Sequence, residues 1–305
     1  MNNILFSILI TTKNRIEALK ITLQKIEYLI EREDVECIIC NDGSNDETSI
    51  FIKENYPKIN LIAHTKSKGL IASRNELLAL TIAKYAISLD DDAHFITENT
   101  LEVIEDYFKN NLKCGVLAFR IFWGKDGLNE IESIDISKRV KSFVGCAHVW
   151  NISAWRTIPN YPDWFVFYGE EDFAAFQLFK KGWEVHYVPK ILTHHRVNLK
   201  SRKKDKDYQL RLRRSLRSGW YLYFLFYPWK LIPKKIVYSL WMQLKTKVFK
   251  GDFKALIAII QALFDTVWNF PRLLKNANRL TNEEFERFQA LPETKLFWEP
   301  SENEN

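Results

Sequence analysis

The first ninety residues of the chain alternate between two hydrophobic patterns. A short β-rich run covers residues 5–11, and apolar residues then recur at helical spacing through residues 18–30. Both patterns repeat downstream, which predicts strands at 35–40, 59–63 and 87–89 and helices at 48–56 and 71–83. Alternating strands and helices with short connections are typical of a mostly parallel sheet with helices on both faces.

The pattern becomes more mixed after residue 96. Helices are predicted at 101–108 and 173–181, the second ended by Gly182, and strands at 115–122, 144–151 and 183–188. Beyond about residue 205 the signals are helical, with breaks expected at Pro228 and Pro233. The chain is therefore predicted to hold an α/β body over residues 1–200 and a helical extension over residues 201–305.

Polar clusters follow three of the predicted strands directly, at residues 11–15, 41–46 and 90–92. In mostly parallel sheets, ligands bind beyond the carboxyl ends of the strands. The three clusters are therefore expected to converge on one site.

The third cluster consists of Asp90, Asp91 and Asp92. Adjacent carboxylates repel one another, and a hard divalent cation, which takes oxygen ligands and bridges to phosphates, would hold them together. The alternative is a solvated acidic turn in which Asp92 or a later residue caps a helix. The tripeptide alone leaves both interpretations open.

Composition narrows the class of protein. A chain of 305 residues with 47% hydrophobic and 14% aromatic residues is not expected to be disordered. Cys37 and Cys40 form a C-x-x-C motif, but strand alternation places them on opposite faces, so core cysteines in a reducing cytoplasm are expected ahead of a redox or zinc site. Neither a signal peptide at Met1-Asn2-Asn3-Ile4 nor a spanning segment of roughly 18 apolar residues is expected.

Positive charge is concentrated near the C-terminus. Residues 196–254 hold seventeen Lys or Arg and three acidic residues, whereas the whole chain has a net charge of only +6. Basic runs at 202–204 and 211–217 precede an aromatic run at 220–229. Rings flanked by cations suit the surface of an anionic membrane, so peripheral membrane contact is predicted. The alternative is a helical extension packed on the body with solvated Lys and Arg, and the two are compatible.

Six short motifs follow one another in a fixed order. They are SILITTKNR at 7–15, NDGSNDET at 41–48, GLIASRN at 69–75, LDDD at 89–92, EED at 170–172 with Gly182, and Pro189 with His195. In this order they resemble the motifs of the inverting family 2 glycosyltransferases of the GT-A fold, over about residues 4–200. The resemblance implies a GT-A catalytic domain at 1–200, with a nucleotide-binding half at 1–95 and an acceptor half at 96–200.

The resemblance also implies a donor and a cofactor. The donor would be a nucleotide-diphosphate sugar, and Mn²⁺ or Mg²⁺ would neutralise its diphosphate leaving group. Asp92 would contact the metal directly, Asp90 would contact the ribose or a metal-bound water, and His195 would be a further ligand. An ordinary surface histidine is the alternative for His195, and His194 is a weaker candidate.

Other residues are expected to form the nucleotide pocket. Asp42 would accept a hydrogen bond from the nucleobase, although Asn41 replaces the first of the two aspartates usual in the family and leaves the base open. Thr11, Arg15 and Arg74 would line the pocket, with capping or surface pairing as the alternative, and Asp91 is counted with them.

An inverting transfer needs a base that deprotonates the acceptor hydroxyl. Glu170, Glu171 and Asp172 are the candidates, because packed acids raise one another's pKa. The family spacing counted back from Gly182 indicates Glu171, whereas the letters E-D indicate Asp172, which is preferred here. Acids stabilising a helix N-terminus are the alternative.

The sequence therefore predicts a metal-dependent, hexosyl-type glycosyltransferase for cell-surface polysaccharide. It would act on a glycan or polyprenyl-linked acceptor, at the inner face of the cell membrane. One alternative is a protein that binds nucleic acid or another polyanion through the basic segment, but the acidic clusters would repel phosphates and no nucleic acid is expected. Another is a non-catalytic nucleotide-sugar sensor, which the intact acids disfavour.

Overall fold

The computed structural model describes residues 4–124, 128, 131–197 and 206–297. The described strands form a single nine-stranded sheet in the order β3-β2-β1-β4-β8-β6-β9-β5, with β7 paired to β9. Helices cover it, and a helical region follows it, as predicted.

The first half of the sheet is parallel. Its strands are β1 (Phe6–Thr12), β2 (Val35–Asn41), β3 (Asn60–Ala63) and β4 (Tyr85–Asp90), connected by α1 (Ile16–Ile30), α2 (Thr48–Asn55) and α3 (Leu70–Leu80). Thr12 lies opposite Asn41 on β2, and Thr11 lies opposite Asp90 on β4. This register confirms that the three polar clusters meet at one edge of the sheet.

The second half of the sheet is mixed. It contains β5 (Ala93–Phe95), β6 (Cys114–Trp123), β7 (Lys138–Val140), β8 (Ala147–Asn151) and β9 (Glu184–His195), with α4 (Thr100–Asn110), α5 (Ile152–Trp155) and α6 (Glu170–Lys180). Only the β6–β9 pair among these strands is parallel. Strand β9 extends well past the predicted end at 188, and its last residue, His195, lies opposite Ala93. The fold therefore returns His195 to the end of the aspartate cluster.

Both faces of the sheet are packed. Cys37 belongs to the core on one face and Cys40 to the core on the other, as strand alternation predicts. All four cysteines are buried and free, which confirms that they are core residues.

The C-terminal region consists of α7 (Tyr208–Phe226), α8 (Ile232–Thr246), α9 (Phe253–Trp268), α10 (Phe270–Lys275) and α11 (Asn282–Gln289). Helix α7 ends before Pro228, as predicted. The break predicted at Pro233 is wrong, because Pro233 lies in the first turn of α8, where a missing N–H has no cost. The ring of Phe226 stacks on Phe176 of α6 at 4.7 Å, so this region packs on the body.

This packing corrects one sequence prediction. Trp220, Tyr221 and Phe226 belong to the aromatic run that was expected at a membrane, yet each is at most 1% exposed. Their rings pack between α7 and the body and between α7 and α9. This packing removes their apolar surface from water, which is favourable. The basic run at 202–204 lies outside the described residues. Among the described helices, none has both the length and the apolarity needed to cross a membrane.

Candidate active site

Asp91 is anchored inside the edge where the three strand ends meet. Its carboxylate accepts a 2.8 Å hydrogen bond from Thr12 and lies 3.0 Å from Arg15, and its carbonyl accepts one from Thr22. Burial raises the pKa of Asp91 to about 7, against the opposing charge of Arg15. Arg15 also pairs with Asp92, so one guanidinium holds two of the three aspartates.

Asp90, Asp92 and His195 form a cluster that could hold a metal ion. Their ligand atoms all lie within 4.8 Å of one another, and His195 Nε2 is 3.1 Å from Asp92 Oδ1 and 3.9 Å from Asp90 Oδ2. Burial acts to raise the pKa of Asp92, but His195 and Arg15 outweigh it and hold that pKa well below its usual value. Two carboxylates with one imidazole suit a divalent cation such as Mn²⁺.

His195, not His194, faces this cluster. The pairing of β5 with β9 sets its position, because Ala93 lies opposite it just after the aspartates. His194 points to the other side of β9, where its Nε2 lies 2.8 Å from the carbonyl oxygen of Gly124. The fold thus selects between the two histidines.

A cavity of about 530 Å³ opens beside the metal cluster. Thr11, Arg15, Asp42, Asp90 and Asp91 line it, as the sequence analysis expected of nucleotide-site residues. Residues to which the sequence analysis gave no role in this site also line it, among them Lys13, Lys68 and Arg214. The four basic side chains that line the cavity, Lys13, Arg15, Lys68 and Arg214, suit a phosphorylated ligand.

Asp42 is fully bonded within the protein. Its two oxygens accept hydrogen bonds from Ser67, from the backbone amides of Lys68 and Gly69, and from His64 at 2.9 Å. Burial acts to raise its pKa, but these donors hold the pKa well below its usual value. A carboxylate has about four acceptor sites, so Asp42 would have to exchange a partner to bind a nucleobase. Its role in base recognition stays a prediction.

Arg74 is buried behind the metal cluster instead of lining the cavity. Its guanidinium donates to Asp90 Oδ1 at 2.8 Å, to Glu170 Oε1 at 3.0 Å and to the carbonyl oxygen of Gly145 at 2.9 Å. Glu171 Oε1 lies 3.7 Å from the same guanidinium. Arg74 therefore connects the candidate metal ligands to the acids of α6.

The three acids of α6 have different surroundings. Glu170 is buried, Glu171 is half-buried, and Asp172 is exposed. Burial and the neighbouring charge of Glu170 raise the pKa of Glu171 well above its usual value. Of the two candidates for the base, Glu171 is the one that lies 3.7 Å from Arg74, which in turn donates to Asp90.

Glu171 and Asp172 line a second cavity of about 750 Å³. Its walls come from the 141–145 loop, from α7 through Ser215, Gly219 and Leu222, and from the segment that follows α11. The C-terminal region therefore builds part of the cavity, although the sequence analysis limited the acceptor half to residues 96–200. No local sequence signal indicates that α7 lines this cavity, because its position there depends on the packing of α7 against α6.

Comparison with known proteins identifies the family of this chain. The sequence model of glycosyl transferase family 2 matches residues 7–179, more than half of the chain. The chain belongs to glycosyl transferase family 2. An 82-residue segment is also 33% identical to chondroitin synthase of Escherichia coli, and it covers 26% of this chain but only 12% of that protein.

Solved structures of glycosyltransferases share the fold of this family member. GalNAc-T7 with UDP, GalNAc and Mn²⁺ matches at a TM-score of 0.59 and 13% identity, over 77% of this chain and half of that one. The mannosyltransferase PcManGT of Pyrobaculum calidifontis, with GDP-Man and Mn²⁺, matches at a TM-score of 0.55 and 14% identity, over 86% of this chain and 74% of that one. S. aureus TarS 1–349 with UDP-GlcNAc matches at a TM-score of 0.54 and 14% identity, over 85% of this chain and 81% of that one. At such low sequence identities the structural matches show the fold alone. They confirm the prediction of a GT-A fold.

Gly145 provides a test of the Glu171 position in this family 2 protein. A Cβ atom built on Gly145 would lie 1.9 Å from Glu171 Oε1, so Gly145→Ala must displace that carboxylate. We expect sugar transfer to fall at least about tenfold while the melting temperature changes little, since the side chain of Glu171 can turn away. Gly182→Ala is not a suitable control because of its positive φ. Gly219→Ala lines the same cavity but meets no atom within 4 Å, so it shows the effect of an added methyl group there without displacement of Glu171. Unchanged transfer in Gly145→Ala would contradict a catalytic position for Glu171.

Proposed function

We propose that this protein is an inverting, metal-dependent glycosyltransferase. It transfers a hexosyl unit from a nucleotide-diphosphate sugar to a hydroxyl of a glycan or polyprenyl-linked acceptor, in cell-surface polysaccharide synthesis at the inner face of the membrane. The observation that carries the proposal is the continuous link from the Asp90–Asp92–His195 cluster through Arg74 to Glu171, with a cavity on each side.

The first cavity is assigned to the donor. A Mn²⁺ or Mg²⁺ ion held by Asp90, Asp92 and His195 would supply charge stabilisation for the diphosphate leaving group. Arg15, Lys68 and Arg214 place further positive charge around the phosphates. The UDP, UDP-GlcNAc and GDP-Man bound in the structural neighbours support this class of donor.

The second cavity is assigned to the acceptor, with Glu171 as the base. Glu171 takes the proton of the acceptor hydroxyl while that oxygen attacks the anomeric carbon. The attack comes from the face opposite the diphosphate, so the bond to the diphosphate oxygen breaks and the configuration inverts. Arg74, which is itself held by Glu170, lies 3.7 Å from Glu171 and positions it, and Asp172 remains the second candidate.

The structure offers little support for the polyanion-binding alternative. Several arginines of the 211–217 run bind within the protein: Arg211 pairs with Asp207, Arg213 pairs with Asp265, and Arg217 donates to the carbonyl oxygen of Phe165. These side chains are thus engaged instead of being presented to a phosphate backbone. The sensor alternative leaves the Glu171 position without a role.

A thermal-shift panel tests the donor site. We expect one of UDP, GDP, dTDP and CDP, at about 100 times its Kd, to raise the melting temperature by about 5 °C only when Mn²⁺ is present. Asp92→Ala should abolish that shift because it removes a buried candidate metal ligand. Asp106→Ala, at an exposed position of α4 that lines neither cavity, should retain the shift. A full shift in Asp92→Ala would contradict the metal assignment, and no shift with any nucleotide would favour the polyanion alternative.

A further inference from the structure

Helix α9 has an unusual exposed face. Eight of its residues are exposed, and seven of them are hydrophobic: Phe253, Ile257, Ile260, Leu263, Phe264, Val267 and Trp268, with Lys254 as the eighth. They recur at spacings of three and four residues, so they form one stripe along the helix. The opposite face is also apolar and is buried against α7 through Ala255, Ile259 and Ala262. An apolar stripe of this size in water indicates an interaction surface.

Helix α8 packs beside α9 and has exposed apolar residues and lysines of its own. Val237, Tyr238 and Trp241 are exposed, and Lys234 and Lys245 lie on the same stripe, at helical spacing before Tyr238 and after Trp241. The ring of Trp241 lies 6.1 Å from that of Phe249 in the turn between the helices. We call the exposed residues of α8, this turn and α9 the α8–α9 face.

The charge around this face has one sign. Residues 229–280 contain ten Lys or Arg and only two acids, Asp252 and Asp265. Both acids bond toward α7: Asp252 accepts a hydrogen bond from Tyr208, and Asp265 pairs with Arg213. The rim of the face therefore presents lysines beside aromatic rings, without a neutralising acid from these two helices.

We propose that the α8–α9 face docks on an anionic lipid bilayer. The rings of residues such as Trp241, Phe264 and Trp268 enter the headgroup region, while Lys234, Lys245 and their neighbours bind the acidic headgroups. Helix α9 has 16 residues, about 24 Å, and its other side is packed on α7, so it lies in the plane of the interface. This surface replaces the 220–229 run as the site of membrane contact.

Charge also decides between a bilayer and a second copy of the chain. A symmetric dimer through this face would bring the two lysine rims together, which is unfavourable. An anionic leaflet instead complements both the rings and the lysines. Helix α7 connects the bilayer to the reaction, since Leu216 and Trp220 pack on α9 while Ser215, Gly219 and Leu222 line the second cavity. The inference deepens the membrane part of the proposed function without depending on sugar transfer.

Vesicle cosedimentation of the full chain tests the inference. We expect the wild type to bind vesicles of 30% phosphatidylglycerol in phosphatidylcholine at least about tenfold more tightly than pure phosphatidylcholine vesicles, and to lose that preference at high salt.

Phe264→Ser with Trp268→Ser should weaken binding at least about tenfold, because both rings leave the interface. Lys245→Gln with Lys254→Gln should weaken it about fivefold per lysine. Ile82→Ser with Leu112→Ser, which changes two exposed apolar residues outside the face, should leave binding unchanged.

The outcomes separate this inference from the proposed function. We call the variant with Phe264→Ser and Trp268→Ser the serine pair. Equal vesicle binding by the serine pair and the wild type overturns the inference, and so does a wild type that does not bind anionic vesicles. A concentration-dependent dimer that the serine pair abolishes, without vesicle binding, assigns the face to a second copy and also overturns it. Transfer to a soluble acceptor is expected to persist in the serine pair, so a failure of vesicle binding would not be confused with a failure of catalysis.

Discussion

Replacing Glu171 with glutamine is expected to lower kcat for sugar transfer by about 10³-fold, the range typical of a lost general base. The amide keeps the shape of the side chain but cannot take the acceptor proton. Nucleotide binding should survive, because Glu171 lines the second cavity and not the one beside the metal cluster. Transfer is measured with the nucleotide identified by thermal shift, and binding is measured on the same variants.

Asp172→Asn is the matched control for this experiment. Asp172 is exposed and lies on the same cavity, so its variant should keep transfer within about tenfold of the wild type if Glu171 is the base. The reverse result, with Asp172→Asn inactive and Glu171→Gln active, would restore the assignment made from the letters of the motif. Loss of nucleotide binding in Glu171→Gln would mean that the residue serves the donor instead.

The pH dependence of kcat/KM gives an independent check. A base must be deprotonated to act, so the rate should rise with pH through the pKa of Glu171 in the free enzyme. Burial and the charge of Glu170 raise that pKa, which moves the rising limb above the range of an ordinary glutamate. The limb should vanish in Glu171→Gln, and a limb that is identical in both proteins would belong to another group.

The sequence was sufficient to predict that the polar clusters after three strands meet beside one cavity, although Arg74 lies behind that cavity and does not line it. Strand alternation and the polar clusters depend on local patterns, and the carboxyl ends of parallel strands must share an edge. The observed register of Thr11 with Asp90 and of Thr12 with Asn41 follows from that rule. His195 could not be placed by local pattern, since its position depends on the antiparallel pairing of β5 with a β9 strand that runs past its predicted end.

The second cavity, which we propose binds the acceptor, depends on contacts that no local pattern encodes. Arg74 and Glu170 are 96 positions apart, and Gly145 approaches Glu171 only because the 141–145 loop packs over α6. Composition also could not show which aromatic residues of the basic region are exposed. Trp220 and Trp268 are both aromatic residues in a basic region, but one is 1% exposed and the other is 76% exposed. Which face of a helix meets its neighbour is decided by tertiary packing.

Replacing Arg74 with methionine is expected to destabilise the protein by about 3–5 kcal/mol, the usual cost of breaking a buried ion pair by removing one partner. Methionine fills much of the volume but donates no hydrogen bonds. Glu170 would then be buried without its cation, and Asp90 would lose its 2.8 Å donor. A denaturant titration should show a lower midpoint with an unchanged slope. Arg32→Met, which breaks a half-exposed pairing with Asp34 and Glu102, should cost at most about 1 kcal/mol.

The double variant Arg74→Met with Glu170→Gln identifies the cause of that loss. If the destabilisation comes from the uncompensated charge of Glu170, neutralising Glu170 should recover part of it, and the two substitutions will be non-additive by more than about 1 kcal/mol. Additive effects would instead mean that Arg74 stabilises the fold through Asp90 and the carbonyl of Gly145. Those contacts join Asp90, which lines the cavity beside the candidate metal cluster, to Gly145, which lines the second cavity.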